Sequence, residues 1–210
     1  MARQTESYIN KLLDLKPQKT DGLYNELAAK GHPVIRRDVA MFLSQVITLS
    51  EPEKILEIGT NAGYSAIVMA KAMKKGKIYT IDYRADNHQS AAENFKKFGV
   101  EDKISLLTGY GNDIIKELNE NFDLIFIDAD KKGYGAYLDY AACHLNPKGV
   151  IIADNLFWKG AVISEEAGDD PRGVTSSLRE FNKKFASLKG FKTQILSIGD
   201  GLGFAVKEDR

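Results

Sequence analysis

Short apolar runs alternate along this chain with segments whose apolar positions recur at helical spacing. Ile55-Leu56-Glu57-Ile58 and Ile78-Tyr79-Thr80-Ile81-Asp82 are two such runs, and residues 103–108, 121–128 and 150–154 give three more. Their length and apolar density predict strands buried on both faces. Helical character lies between them at 65–70, 86–98, 112–118 and 133–145, and again at 171–188 after a polar loop. Residues 192–198 and 203–206, flanking Gly199-Asp200-Gly201, predict a closing antiparallel pair. Upstream, residues 1–50 read as helical, with short amphipathic segments at 7–15 and 20–30 broken by Pro17 and by Gly31-His32-Pro33. From Asp38, the positions Val39, Phe42, Leu43, Val46 and Ile47 define one buried helix face. Alternating strands and helices imply an α/β, doubly wound, Rossmann-like sheet with right-handed crossovers. It is mostly parallel, has seven strands, ends in an antiparallel hairpin and carries helices at its N-terminus. The 210 residues suit one domain, with residues 1–50 as a lid or a homodimer contact.

The stretch from Lys54 to Met69 is strand, glycine turn and helix, the way a doubly wound sheet builds its first ligand site. A dinucleotide fingerprint starting at Gly59 would need glycine at 61 and 64, where this chain has Asn61 and Tyr64. The missing middle glycine argues against a pyrophosphate and so against NAD or FAD. Asp82, ending the second strand, can take both hydroxyls of a ribose. Glu57 can face a ligand's ammonium. Ribose at one end and an amino acid at the other describe S-adenosylmethionine.

Composition narrows the field further. Lys plus Arg and Asp plus Glu are 29 each, so no global field draws the chain to nucleic acid or membrane. No apolar run approaches the ~20 residues of a membrane span. The single Cys143 cannot form an internal disulfide, and its Ala-Ala-Cys context predicts helix core. These features predict a soluble, cytoplasmic protein. His32, His88 and His144 have neither metal-ligand spacing nor a nucleophile beside them, and the last two read as surface or packing residues.

Four acids, Glu57, Asp82, Asp128 and Asp154, lie within or at the ends of predicted parallel strands, where such sheets bind ligands. Asp128 and Asp154 should end neighbouring strands, and Asn155 follows directly. Two carboxylates and an amide oxygen are hard ligands that suit Mg²⁺, Mn²⁺ or Ca²⁺. They leave about three of six octahedral positions for water and substrate. Lys131 follows in Asp128-Ala129-Asp130-Lys131. An amine out of water beside a divalent cation favours its neutral form, so Lys131 could take a proton from a hydroxyl. Lys132 is the neighbouring competitor, expected to be solvated.

With these residues in place, the chain resembles the cation-dependent O-methyltransferases, the group of catechol and caffeoyl-CoA O-methyltransferases and their small bacterial relatives. The resemblance runs from about Pro33 to Lys207. It rests on L-E-I-G-T-N-A-G-Y-S (56–65), T-I-D (80–82), F-I-D-A-D-K (126–131), A-D-N-L-F-W-K-G (153–160) and I-G-D-G-L (198–202). It implies Asp128, Asp154 and Asn155 as metal ligands and Lys131 as base. It also implies an S-adenosylmethionine site lined by Ile35, Glu57, Gly59, Thr60, Ser65, Asp82, Tyr83, Gly111, Asp128 and Asp130, and places Trp158 with Lys131 beside the acceptor. Val39-Ala40 and Asn61-Ala62 depart from the pairs commoner in relatives. The short 164–171 segment leaves little loop to hold a CoA thioester.

The expected activity is methyl transfer from S-adenosylmethionine to one hydroxyl of a metal-chelated catechol-type ring, a small aromatic diol. Methylation of hydroxyuridine in tRNA is the alternative that would use the same machinery. RNA substrates usually need a basic face and stacking aromatics, and the zero net charge argues against nucleic acid. A non-catalytic S-adenosylmethionine-binding protein is the other reading.

Overall fold

The computed structural model describes residues 2–164 and 172–209. Helices α1 (Ala2–Leu13), α2 (Asp21–Ala29) and α3 (Arg37–Ser50) precede the first strand. There follow β1 (Lys54–Ile58), α4 (Tyr64–Ala72), β2 (Lys77–Asp82), α5 (Ala85–Phe98), β3 (Ile104–Thr108), α6 (Gly111–Glu117), β4 (Phe122–Ile127), α7 (Tyr134–His144), β5 (Leu145–Ala153), α8 (Val174–Ala186), β6 (Phe191–Leu196) and β7 (Leu202–Lys207).

The seven strands form one sheet in the order β3-β2-β1-β4-β5-β7-β6. β1 through β5 are parallel; β7 runs antiparallel beside β5, and β6 antiparallel beside β7. One core packs α3, α4 and α5 on one face of the sheet, and a second packs α7 and α8 on the other. α4 is buried from Tyr64 to Ala70 because it is pressed between α3 and the sheet, which its all-round apolar sequence requires. Asp128 and Asp154 follow paired neighbours, since Ile127 is in register with Ala153.

Several boundaries differ from the sequence reading. α1 stops at Leu13, where Leu15 and Lys16 turn back onto Leu12 and Leu13 ahead of Pro17, a residue that disfavours helix just before it. β5 begins at Leu145, earlier than the predicted 150. Asn146-Pro147-Lys148-Gly149 forms a bulge inside it: Phe122 pairs with Leu145 and Leu124 with Val150, while Lys148 takes φ 63°. α8 starts at Val174 after Gly173 at φ 70°; the predicted start at Pro171 lies outside the described residues. Cys143 is exposed, because the buried stripe of α7 passes through Tyr137, Leu138, Tyr140 and Ala141 and leaves position 143 on the solvent side. Among the described residues, no helix is long and apolar enough to cross a membrane.

Candidate functional site

A cleft of about 850 Å³ opens where the strand order reverses, above the carboxyl ends of β1, β2 and β4. The turn after β1 is shaped by its own packing. Gly59 has φ 110°, and a Cβ there would lie 2.1 Å from the Asp128 carbonyl oxygen, so the exits of β1 and β4 touch through backbone alone. Gly63, at φ 81°, would drive a Cβ to 2.5 Å from the Phe95 ring. Both glycines are therefore demanded by neighbours in the fold, independently of any ligand.

At one end of the cleft the Asp82 carboxylate accepts three donors: Asn61 N–H at 2.8 Å, Asn87 Nδ2 at 3.0 Å and Arg84 N–H at 2.9 Å. His88 Nε2 lies 3.0 Å from the Asp82 carbonyl, which supports the same strand end. Ile35 and its neighbours line the cleft as well, fastened by a hydrogen bond from Asn61 Nδ2 to the Pro33 carbonyl. Tyr83 stacks on Tyr110 with centroids 4.9 Å apart and planes 11° from parallel; both rings line the cleft and are more than half exposed. Gly111 opens α6, where a Cβ would lie 2.7 Å from the Tyr137 hydroxyl. That hydroxyl donates to Asp130 Oδ1 at 2.6 Å, and Asp130 Oδ2 accepts the Gly133 N–H at 2.8 Å.

Thr60 and Ser65 line the cleft, whereas Glu57 stands behind it, fully buried. Its two oxygens accept the hydroxyls of Ser65 and Thr80, and Thr80 in turn lies 2.6 Å from the Thr60 hydroxyl. Burial pushes the Glu57 carboxyl up to about 8. The acid inside β1 is thus separated from the cleft by the Ser65 hydroxyl.

Asp128, Asn155, Lys131 and Trp158 all line the cleft. Lys131 Nζ lies 3.1 Å from Asp128 Oδ1 and 2.6 Å from the Tyr134 hydroxyl, and its side chain is only 8% exposed. Tyr134 is itself fully buried and donates to the Asp154 carbonyl at 3.0 Å. Burial, followed by the charges of Asp128 and Asp154, holds its phenol well above the ordinary value, so it stays a neutral donor and an acceptor for Lys131. Lys132 is exposed. Asp154 is 2% exposed; its Oδ1 accepts the Asn155 N–H at 2.7 Å. Burial and the neighbouring charge of Asp128 push its carboxyl up to about 7.

The donor set fits a hard divalent cation. Two crowded acids bring charge that a cation would offset, and an amide oxygen is a further hard donor. Among the described residues, the Asn155 side chain, Asp128 Oδ2 and Asp154 Oδ2 receive no hydrogen bond from protein. No group of three or more His, Cys, Asp or Glu side chains is placed to hold a metal among the described residues.

The loop after β5 carries unusual backbone. Asn155, Trp158 and Lys159 have φ of 61°, 48° and 55°, a left-handed conformation that costs roughly 1–3 kcal/mol for a residue of this kind and persists where surroundings impose it. Those surroundings are Asp200, Asn182 and Arg179, which bond to backbone groups of residues 156–164. Asn182, Arg179, Tyr134 and Tyr110 carry no signal in the sequence that would single them out, and Asp200 is legible only as part of the 198–202 turn motif.

Known proteins agree with this architecture. The O-methyltransferase family model matches residues 20–208, and the chain belongs to that family. A catechol O-methyltransferase of Niastella koreensis is 32% identical, over 96% of this chain and 95% of its own. A caffeoyl-CoA O-methyltransferase of Populus kitakamiensis is 30% identical over 95% and 88%. The solved O-methyltransferase from Bacillus cereus in complex with SAH has TM-score 0.85 and 27% identity, covering 99% of this chain and all of that one.

Proposed function

We propose that this O-methyltransferase moves the methyl group of S-adenosylmethionine to one hydroxyl of a vicinal diol on a small aromatic ring. The observation that carries the reading is the convergence of Asp128, Asn155 and Lys131 in the wall of the cleft that also holds Asp82. The names of the catechol-acting relative and of the SAH-bound structure support it. Asp82 would hold the ribose, and the Tyr83 ring would face the base. Asp128, Asp154 and Asn155 would hold a divalent cation, Mg²⁺ by preference, which supplies positive charge that acidifies a nearby hydroxyl. Lys131 takes the proton of that hydroxyl at Nζ, and the oxygen displaces the sulfur in line with the bond that breaks. Fixing the two reactants in one cleft provides the entropic part of the acceleration.

Asp82→Ala is expected to weaken S-adenosylmethionine binding by roughly 1.5–3 kcal/mol, the scale of a charge-assisted hydrogen bond. Unchanged affinity by titration calorimetry would confine Asp82 to anchoring the turn through Asn61 and Arg84.

Acceptor class is tested with labelled methyl donor, a catechol series, the matching monophenols and bulk tRNA. Two adjacent oxygens suit a hard cation site and one does not, so catechols should be methylated and monophenols should not. Mixed methylation of the two oxygens is expected, since a cleft open beside Trp158 separates the two ring orientations poorly. Labelled tRNA with every catechol inert would overturn the small-molecule reading.

A further inference from the structure

The turn Gly199-Asp200-Gly201 between β6 and β7 holds the loop that follows β5. Both oxygens of the Asp200 carboxylate accept the Lys159 N–H, at 2.9 and 2.8 Å. The Asp200 carbonyl accepts the Phe157 N–H at 2.8 Å, and the Gly201 carbonyl accepts that of Leu156 at 2.9 Å. Residues 156, 157 and 159 therefore hang from one turn, with Trp158 between them in the left-handed region. The turn has little room to shift. A Cβ at Gly201 would lie 2.6 Å from the Phe157 ring, and one at Gly199 2.5 Å from Val39. Arg36 donates to the Gly199 carbonyl, and the Gly199 N–H donates to Asp38, each at 3.3 Å. The same turn thus ties the cleft wall around Ile35 to the loop carrying Asn155 and Trp158.

We propose that Asp200 is a positioning residue: by accepting the Lys159 N–H with both oxygens it keeps Trp158 and Lys159 in the left-handed region and so aims Asn155 and Trp158 into the cleft. It acts through backbone and touches no reacting group. The geometric part stands on the hydrogen bonds alone; the consequence for cation binding rests on the function proposed above. Because Asp200 also adds a negative charge near Asp154, charge and geometry have to be separated.

Trp158 is the only tryptophan in the chain, so its fluorescence reports the loop without turnover. Asp200→Ala, checked for folding by circular dichroism, is expected to raise acrylamide quenching of Trp158 severalfold. It should weaken Mg²⁺ binding about tenfold, the weight of one or two lost hydrogen bonds. S-adenosylmethionine affinity, read by calorimetry, should stay within about twofold of wild type, a change worth under half a kcal/mol. Asp200→Asn retains an acceptor for Lys159 without the charge and should restore both quenching and Mg²⁺ affinity to near wild type. If Asp200→Ala does not fold, the Asn variant decides: a shielded Trp158 supports the proposal, and an exposed one overturns it. Unchanged quenching in a folded Ala variant would also overturn it. So would an Asn variant that behaves like Ala, since charge would then be the cause. Equal losses of Mg²⁺ and cofactor affinity would indicate general loosening and count against it too. Should wild-type protein bind no Mg²⁺, the metal reading fails, and Trp158 quenching still decides the role of Asp200.

Discussion

Lys131→Met is expected to lower the maximal rate by roughly 10²–10⁴, the range for losing a positioned acid–base group, with cofactor and cation affinity near wild type. The structure explains why the effect should be confined to the chemical step. Lys131 Nζ is nearly buried, 3.1 Å from Asp128 and 2.6 Å from Tyr134, in the cleft wall after β4, whereas Asp82 ends β2. Methionine replaces the apolar stem but has no site for a proton. Tyr134 keeps its bond to the Asp154 carbonyl, so the wall behind the substituted side chain should hold. Exposed Lys132 is the internal control, and Lys132→Met should run near the wild-type rate. Steady-state rates with calorimetry on the same proteins check this. A large loss in Lys132→Met with little in Lys131→Met would mean the other lysine is the base.

Much of this arrangement can be read from one-dimensional pattern. Apolar runs such as Leu124 to Ile127, buried on both faces, are legible because a central parallel strand leaves no polar side. The acid that ends β2 and those that follow β4 and β5 are legible because a carboxylate closing such a run marks the binding edge. Strand order is less so: periodicity reveals β6 and β7 as a pair but not that β7 inserts beside β5. Asn146-Pro147-Lys148-Gly149 has the composition of a turn, yet Asn146 Nδ2 reaches Asp123 and the segment stays within β5 as a bulge. Glu57 shows the limit for side chains. An acid in a buried strand announces itself, but only the positions of Ser65 and Thr80 show that its oxygens are already engaged. Tyr134, one of several tyrosines in α7, lies out of reach for a similar reason, and Asp200 is legible as part of a turn but not as the acceptor of a backbone amide 41 residues away.

Asp154→Ala should be folded and inactive. The carboxylate lies beside Asp128 in a buried position, where its charge is costly, so its removal should not unfold the sheet. What would be lost is one of two acids in the proposed donor set, whose third member, Asn155, is an uncharged amide. Asp128 alone with Asn155 would hold a divalent cation weakly, and the hydroxyl that Lys131 must deprotonate would no longer be acidified. Circular dichroism should overlay that of the wild type while methyl transfer to catechol falls to background. Cofactor binding at the Asp82 end should survive, which separates loss of the cation from loss of the site.

The most direct test of the account needs no substitution. Methyl transfer from labelled S-adenosylmethionine to a catechol is followed in wild-type protein before and after EDTA, then with Mg²⁺ added back in excess. The account predicts that turnover disappears in chelator and returns with Mg²⁺; full activity in EDTA would contradict it.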